Sequence, residues 1–262
     1  MTSASFSRQG DVGVITLTNP PQNRLSSDLV DEFAKSVVEV STAGVRSLVV
    51  RGDGDTFCFG ANIADWPDLS DSDLRTFIHY VNRVFQQVEE LPIPTIAAVH
   101  GSCMGGGFEL ALHCDLIVAA DDANFRFPEA TLAIPPLAGG VQRLAERVGR
   151  STAARLVLLT DPVTGEEGAR LGFVARTAPA DDVYKVALEI AHGFAEGPTL
   201  AYQSIKSILR GWAQGGLGAA DRLQLDISDA PLRSQDFDRG VSNAIDAFKR
   251  GVPRPILNFL GQ

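Results

Sequence analysis

The sequence predicts an α/β protein, with a core to about residue 196 and a helical region from 197 to 262. Two observations carry this expectation. Strand-like and helix-like apolar patterns alternate along the first part of the chain, as is typical of α/β folds. Beyond Ser151 helical patterns predominate, and residues 174–177 form the last clear strand pattern. Gly197 and Pro198 mark the predicted boundary.

The first predicted unit is a strand, a helix and a second strand. Residues 12–17 are β-rich and are followed by Pro20, which cannot donate to a strand ladder. Ser26 or Ser27 can cap the next helix, in which apolar residues recur at helical spacing. Residues 47–51 are then typical of a buried strand.

A long amphipathic helix comes next. Ser70 precedes an acidic first turn that suits the helix dipole, and a single apolar stripe follows. Two prolines end this helix, and residues 95–99 predict a short strand. The pattern then predicts a short helix over 108–114 and another strand over 116–119.

The C-terminal third is mostly helical in pattern. Thr164 and Glu167 match a capping box, which predicts a helix start. Further helices are expected near 183–195, 199–212 and 236–250. No repeat of fixed length and no low-complexity tract interrupts the chain.

Composition narrows the class of protein. Hydrophobic residues make up 45% of the 262 and charged residues 21%, the mixture of an ordinary globular chain. The 23 Lys and Arg against 32 Asp and Glu give a net charge of −9, which opposes attraction to nucleic acids and anionic lipids. Apolar runs stay far below the roughly 18 residues of a membrane span. We therefore expect no nucleic-acid partner and no membrane.

The N-terminus and the cysteines indicate a compartment. Residues 1–5 lack the basic region and apolar run of a secretory signal. The three cysteines form no CxxC pair, which fits a reducing environment better than a disulfide framework. The sequence therefore predicts a cytoplasmic protein.

Three consecutive glycines, 105–107, stand between a predicted strand and a predicted helix. Without β-carbons their backbone N–H groups can approach a ligand, and the helix N-terminus favours negative charge there. An anion or oxyanion site is one interpretation, and a tight strand-to-helix turn is the alternative. The run contains no GxGxxG and no Walker motif, which excludes those phosphate sites.

Two glutamates lie in apolar surroundings near these glycines. Glu109 is on the first turn of the following helix, and Glu129 comes directly after Phe127 and Pro128. Either alone is more typical of a cap or a surface position. Together beside a donor site they suit an acid and a base whose pKa values are pushed apart. Residues 57–63, with a Gly-Ala pair, could supply a second backbone donor or simply close a strand.

Other chemistries are disfavoured by spacing. His113, Cys114 and Asp115 are metal-capable, but consecutive helical residues point in different directions, and no metal site is expected. Cys58 or Cys103 could act as a nucleophile, yet no histidine is placed beside either. GxSxG is absent, which disfavours a serine hydrolase.

Four blocks resemble the crotonase superfamily, the enoyl-CoA hydratase/isomerase proteins, over nearly the whole chain. Residues 19–26 are similar to the family's adenine-pocket loop, and Phe-Gly-Ala-Asn-Ile at 59–63 to its first oxyanion segment. Residues 96–115 resemble the family signature almost end to end. Residues 127–129 with 138–144 are similar to the block that follows.

This resemblance implies a spiral core of repeated ββα units over 1–196, with a C-terminal trimerisation region over 197–262. It also implies an acyl-CoA thioester as ligand, no cofactor apart from the coenzyme A of the substrate, and a homotrimer or a dimer of trimers. The backbone N–H groups of Ala61 and Gly106 would hold the thioester oxygen. The resemblance further implies that substrate or CoA contacts come from Arg24, Gly60, Asn62, Ile63, Gly105, Leu137 and Lys249.

The two glutamates resemble those of the hydratases, whereas the Δ3,Δ2-enoyl-CoA isomerases tend to keep only the carboxylate matching Glu129. By this resemblance Glu109 would activate water for attack at C3, and Glu129 would exchange the proton at C2. The leading hypothesis is therefore an enoyl-CoA hydratase. The alternatives are an isomerase, another crotonase-type reaction such as decarboxylation or thioester hydrolysis, or a non-catalytic acyl-CoA-binding subunit.

The sequence departs from the family pattern at three places. Asn62 stands where the family usually has Asp, and Ala64 replaces a lysine that often helps to bind CoA. Other cations would then serve CoA, namely Arg24 or the tail residues Lys249, Arg250 and Arg254. Leu137 stands where hydratases usually have glycine and adds bulk near the expected water site. Trp66 and Phe125 are expected to narrow the acyl pocket further.

Overall fold

This computed structural model describes residues 3–262, which contain two β-sheets. In chain order the strands are β1 Ala4–Gln9, β2 Val12–Leu17, β3 Ser47–Gly52, β4 Thr95–Val99, β5 Ser102–Met104, β6 Leu116–Ala120, β7 Asn124–Arg126, β8 Val163–Thr164 and β9 Arg176–Ala178. The larger sheet has the order β1-β2-β3-β4-β6-β9 and the smaller one β5-β7-β8. Residues 1 and 2, part of the segment considered for a secretory signal, lie outside the described residues.

The helices of the described residues alternate with these strands up to β9, and only helical elements follow it. They are α1 Ser27–Thr42, α2 Asp71–Glu90, α3 Gly106–His113, α4 Gly140–Val148, α5 Arg150–Leu158, α6 Gly165–Leu171, α7 Val183–Ala195, α8 Thr199–Ile227, α9 Asp229–Leu232 and α10 Gln235–Arg250. Short 3₁₀ turns at Ile63–Asp68 and Glu129–Leu132 flank the glycine-rich segment. The predicted α/β class is confirmed. No helix within residues 3–262 has the length and apolar character needed to cross a membrane.

Side-chain caps begin the helices where the sequence predicts them. Ser26 accepts a hydrogen bond from the backbone N–H of Leu29, and Ser70 accepts one from Asp73. Thr164 accepts one from Glu167. Each cap satisfies an N–H group that has no acceptor within its own helix.

Three expectations about elements were wrong in detail. The strand over 12–17 is not the first, because Ala4–Gln9 precedes it and pairs with it antiparallel. Only Ala4 of this edge strand is buried, and the sequence shows no apolar alternation typical of a half-buried strand. The apolar pattern therefore did not indicate it. The helix expected over 199–212 continues to Ile227, with a break at Gly216, where φ is +69°. The last strand is Arg176–Ala178 and so begins two residues later than expected.

The central strands of the larger sheet are parallel and buried on both faces. β3 and β4 consist mainly of Val, Leu, Ile and Ala, as expected for a sheet covered by helices. β4 leads through Gly101 into β5, the first strand of the smaller sheet. This crossover places the three glycines at the start of α3, directly behind the end of β5.

An aromatic cluster supports α3 from below. The ring of Phe108 lies 4.6 Å from that of Phe127 and 5.1 Å from that of Phe125, and Phe173 closes the group. Phe125 is fully buried in this cluster. The expectation that it narrows the acyl pocket is therefore wrong, because its ring points into the core.

The C-terminal region is tied to the core by polar contacts. Lys206 on α8 is buried, and its Nζ lies 2.6 Å from Oδ2 of Asp115 and 2.8 Å from the carbonyl oxygen of Ile93. Arg46 donates to the carbonyl oxygens of Gly197 and Phe259. The domain boundary near 196 stays a prediction, since these contacts join the two parts closely.

Candidate active site

A cavity of about 260 Å³ brings together most of the residues that the sequence singles out. It lies between α2, the start of α3, the turn after β3 and the loop after β7. Glu109 and Glu129 both line it, as do Ala61 and Gly106. A larger cavity of about 430 Å³ lies between α4 and α8, and neither glutamate lines it.

The backbone N–H groups of Ala61 and Gly106 are free to bind a ligand oxygen. In the bridge that pairs Leu25 with Ala61, Leu25 donates to the Gly60 carbonyl and Asn62 donates to the Leu25 carbonyl, so the N–H of Ala61 is left over. Gly106 is the first residue of α3, and its N–H has no acceptor within that helix. Within residues 3–262 neither group donates a hydrogen bond.

Close backbone approach explains why this donor pair needs glycine. A β-carbon on Gly60 would lie 2.7 Å from the carbonyl oxygen of Met104, and the φ of Gly60 is +85°. A β-carbon on Gly106 would lie 3.9 Å from the nitrogen of Ala61, so the two segments are neighbours. The arrangement suits an oxyanion hole, in which two N–H groups stabilise a developing negative oxygen.

Glu109 is buried and held by backbone donors. Its Oε1 accepts hydrogen bonds from the N–H of Ala138 at 2.7 Å and from that of Gly140 at 2.9 Å. Burial raises the pKa of Glu109 above its ordinary value, and these two N–H groups oppose that rise. The carboxylate is therefore fixed in direction and keeps a second oxygen for the cavity.

Glu129 faces the same cavity with fewer partners. It is 8% exposed, and within the described residues its Oε2 is buried with no hydrogen-bond partner. Burial raises the pKa of Glu129, the nearby charge of Glu109 adds to this rise, and the resulting pKa is about 7. Two carboxyl groups in one cavity thus differ in environment, as a proton donor and a proton acceptor require.

The remaining predicted contacts divide into two groups. Arg24, Gly60, Ile63, Gly105 and Leu137 line the cavity. Asn62 does not line it, and its Nδ2 instead donates to Oδ2 of Asp65 at 2.8 Å. Lys249 lies in the last turn of α10 and is also outside the lining.

Arg24 is held at the edge of the cavity. It donates to the carbonyl oxygen of Ala61 at 3.2 Å, and its guanidinium lies 4.8 Å from the centre of the Phe59 ring. Both contacts leave the positive charge beside the oxyanion segment. A phosphate or carboxylate group at the cavity mouth would be attracted to it.

Sequence reasoning missed the apolar wall contributed by α2. Phe77, Ile78 and Val81 line the cavity, whereas their helical spacing alone indicated core packing. Trp66 also lines it, as expected. These residues could be assigned to the cavity only from the packing of α2 near α3, and the local sequence pattern does not predict that packing.

The cysteines and His113 do not form a nucleophilic or metal site in the described residues. All three cysteines are buried and free, and burial raises the pKa of Cys58 and Cys114 to about 12. Burial lowers the pKa of His113 to about 3, and its Nδ1 donates to the carbonyl oxygen of Glu109 at 2.8 Å. No cluster of three His, Cys, Asp or Glu residues in 3–262 could hold a metal ion.

Comparison with known proteins shows the family to which the chain belongs. A family described as enoyl-CoA hydratase/isomerase matches residues 7–249. The chain belongs to the enoyl-CoA hydratase/isomerase family. A relative named probable enoyl-CoA hydratase, from Bacillus subtilis, is 35% identical and covers 95% of this chain and 98% of its own length. The 2,3-dehydroadipyl-CoA hydratase of Escherichia coli is 32% identical over 92% of this chain and 95% of its own.

Solved structures of the enoyl-CoA hydratase/isomerase family confirm the fold. A structure titled enoyl-CoA hydratase from Bacillus anthracis has a TM-score of 0.88 at 28% identity, covering 99% of this chain and 100% of its own. A Geobacillus kaustophilus subunit of similar title has a TM-score of 0.87 at 30% identity, covering 99% and 98%. The crotonase-like fold expected from the sequence is thus confirmed over the whole described chain.

Proposed function

We propose that this protein is an enoyl-CoA hydratase, which adds water reversibly and in syn fashion to a trans-2-enoyl-CoA thioester. The observation that carries the proposal is the meeting of two buried carboxyl groups and two free backbone donors in one cavity. An oxyanion hole alone would suit many thioester reactions. A second carboxyl group beside it suits the addition of water.

The thioester carbonyl oxygen would bind between the N–H groups of Ala61 and Gly106. When a nucleophile attacks C3, electron density moves to this oxygen and an enolate forms. The two donors then stabilise more charge than in the ground state, and one such donor contributes about 3 kcal/mol to lowering the barrier. The N-terminus of α3 adds favourable potential at the same point.

Glu109 would hold water and take its proton while the oxygen attacks C3. Its two backbone donors favour the ionised form that a general base needs. Glu129 would donate its proton to C2 as the enolate collapses, which suits a carboxyl group with a pKa of about 7. In this reaction no redox change occurs, so proton transfer and the enolate account for it without a metal or redox cofactor.

Isomerisation is the second candidate, and Leu137 is the observation that favours it. Leu137 lines the same cavity as Glu109, and a leucine in place of glycine would leave less room there for a water molecule. Glu129 alone could then move a proton between C2 and C4 of a 3-enoyl-CoA. Decarboxylation and thioester hydrolysis would use the same enolate or oxyanion, and a non-catalytic subunit would bind acyl-CoA without turnover.

The test is incubation with short- and medium-chain 2-enoyl-CoAs in H₂¹⁸O, followed by product mass. Hydration places ¹⁸O at C3, and the Glu109→Gln and Glu129→Gln variants should each lose activity by orders of magnitude while still binding CoA thioesters. Full activity in either variant contradicts the proposal. Activity on 3-enoyl-CoA that survives loss of Glu109 but not of Glu129 would establish the isomerase instead.

We further propose a homotrimer, or a dimer of trimers, assembled through residues 197–262. Large apolar side chains in this region are exposed in the single chain, including Leu217, Leu225, Phe248 and Ile256 at 72, 77, 87 and 97%. Exposed apolar surface of this extent favours association. Analytical ultracentrifugation should give a mass of three or six chains, and a monomer at micromolar concentration would contradict this.

The tail cations would bind the phosphates of CoA. Lys249 and Arg250 lie in the last turn of α10, and Arg254 follows them. We propose that, in the assembly, they reach the cavity mouth of the same or a neighbouring subunit. Replacing Lys249 by Ala should raise KM for the thioester more than it lowers kcat.

The free, buried cysteines also support a reducing compartment, and we propose the cytoplasm.

A further inference from the structure

The oxygen of Glu109 that is fixed by the backbone is held by two peptide groups. One is the peptide between Leu137 and Ala138, whose N–H is 2.7 Å from Oε1. The other is the peptide between Gly139 and Gly140, whose N–H is 2.9 Å from the same oxygen. The direction of this carboxylate therefore depends on how two peptide planes are oriented.

Each of these two peptides has a side-chain donor on its carbonyl oxygen. Asn82 donates from Nδ2 to the carbonyl oxygen of Leu137. Arg143 donates from Nη1 to the carbonyl oxygen of Gly139 at 3.1 Å. Neither side chain lines the cavity, so neither can touch a substrate there.

A donor on the carbonyl controls the N–H on the other edge of the same peptide. The peptide bond is planar, so fixing the C=O direction also fixes the N–H direction. Hydrogen bonds in such a chain also polarise one another, which strengthens the bond from N–H to carboxylate. The result is a relay from side chain to peptide to carboxylate, present twice.

Both donors are themselves anchored to α2. Asn82 also donates to the carbonyl oxygen of Ile78 at 3.0 Å, within its own helix. Arg143 forms an ion pair with Glu89, and both of these side chains are partly buried. Because seven residues make about two helical turns, Asn82 and Glu89 lie on the same face of α2. One rigid helix face thus holds both peptides.

We propose that Asn82 and Arg143 are positioning residues that orient the carboxylate of Glu109 through the 137–138 and 139–140 peptides. The catalytic consequence rests on the proposed hydratase function, whereas the effect on the carboxyl group itself does not. Without the Asn82 donor the 137–138 peptide is free to rotate, which weakens the N–H bond from Ala138 to Glu109. The carbonyl oxygen of Gly139 also accepts the first hydrogen bond within α4, so loss of the Arg143 donor should have a smaller effect. The pKa of Glu109 then rises further above its ordinary value, because hydrogen bonds to the charged form oppose the rise that burial causes.

The rival interpretation is that both side chains only anchor the loop after β7. Such an anchor would affect the free energy of unfolding and the amount of folded protein. It would leave the pKa of Glu109 in the folded protein unchanged. The deciding readout is therefore a titration.

Asn82→Leu is the primary variant because it removes the donor at similar size and leaves the charge unaltered. Arg143→Lys is the second, since it keeps the charge but loses the planar fork. Gln86→Leu is the matched control, an exposed amide on the same helix. If Asn82→Leu folds poorly, Asn82→Ala takes its place. The first measurement is the pKa of Glu109 by carboxyl ¹³C NMR, assigned by the signal that Glu109→Gln removes.

We expect Asn82→Leu to raise the Glu109 pKa measurably and Gln86→Leu to leave it unchanged. In activity, Asn82→Leu should lower kcat by about 10- to 100-fold with little change in KM. It should also move the acidic limb of the pH profile to higher pH. In a Glu109→Gln background the same substitution should have no further effect on kcat.

An unchanged Glu109 pKa in folded Asn82→Leu protein overturns the proposal, whatever the activity. An equal loss of kcat in the Glu109→Gln background also overturns it, because the effect then does not pass through that carboxylate. If wild-type protein fails to hydrate enoyl-CoA, the proposed function fails separately. The NMR titration still decides the positioning role in that case.

Discussion

Gly105 approaches Glu129 so closely that a β-carbon on the glycine would lie 2.8 Å from Oε1 of the carboxyl group. The φ of Gly105 is +51°, in the left-handed region that favours glycine. The turn that starts α3 is therefore packed against the carboxyl group of Glu129, which we propose protonates C2 of the substrate. Glycine is required at this position by the nearby carboxyl group as well as by the conformation of the turn.

Gly105→Ala should displace Glu129 and lower kcat/KM by about 100-fold, since a shift of about 1 Å in a reacting group has effects of this size. Gly10→Ala is the matched control, because Gly10 also has a positive φ, +62°, but no atom within 4 Å of a new β-carbon. Both variants carry backbone strain, and only one carries the clash. Equal activity in the two variants would refute the steric argument.

The pH dependence of hydration should be bell-shaped. The active pair holds one proton, on Glu129, while Glu109 is ionised. Loss of that proton defines the alkaline limb, expected near pH 7 because burial raises the pKa of Glu129 to about 7. Protonation of Glu109 defines the acidic limb, above the ordinary carboxyl value of 4.5 because burial raises that pKa too.

Hydration and dehydration should show the same two limbs, because both directions use a singly protonated pair. The measurement is kcat/KM from pH 5 to 9 for an enoyl-CoA and its 3-hydroxyacyl-CoA. An alkaline limb that is absent in one direction only would contradict the assignment of both roles.

Glu129→Gln should stabilise the folded protein at alkaline pH. The pKa of Glu129 rises from 4.5 to about 7 on folding, so its protonated form is favoured in the folded state. The stability linked to that proton is present below pH 4.5 and is lost as the pH rises through about 7. At pH 8 the neutral amide should therefore raise the free energy of unfolding by about 3 kcal/mol.

Urea unfolding at pH 8 and pH 5 measures this difference. At pH 5 the gap between Glu129→Gln and wild type should shrink to under about 1 kcal/mol. A gap that does not change with pH would show that the substitution acts through packing and not through ionisation.

Leu137→Ala should shift substrate preference toward longer acyl chains. Leu137 lines the cavity, and its backbone carbonyl, which the substitution does not remove, accepts a hydrogen bond from Asn82. Each further substrate CH₂ that becomes buried should improve relative kcat/KM about fourfold, from about 0.8 kcal/mol per group. Leu158→Ala, at a side chain that is 73% exposed and outside the cavity, is the control. An unchanged ratio between chain lengths would place the acyl chain elsewhere.

Local sequence determined the elements whose signals lie within a few residues. The cap at Ser70 and the apolar stripe behind it define α2, because a helix satisfies its own backbone and buries one periodic face. Short runs rich in β-branched and apolar residues define β2 and β3, which are buried on both faces. The short strands of the smaller sheet were not predictable in this way. Two or three residues carry too little pattern, and they become strands only because a neighbouring strand supplies the hydrogen-bond partners.

The sequence by itself also determined the chemistry available, through Glu109, Glu129 and the glycines of the α3 turn. It could not determine how that chemistry is held. Phe125 was expected in the pocket and lies in the core, and Asn82 went unnoticed although it binds the loop behind Glu109. Orientation and pKa depend on burial and on donors far apart in the chain, so only the packed tertiary structure decides them.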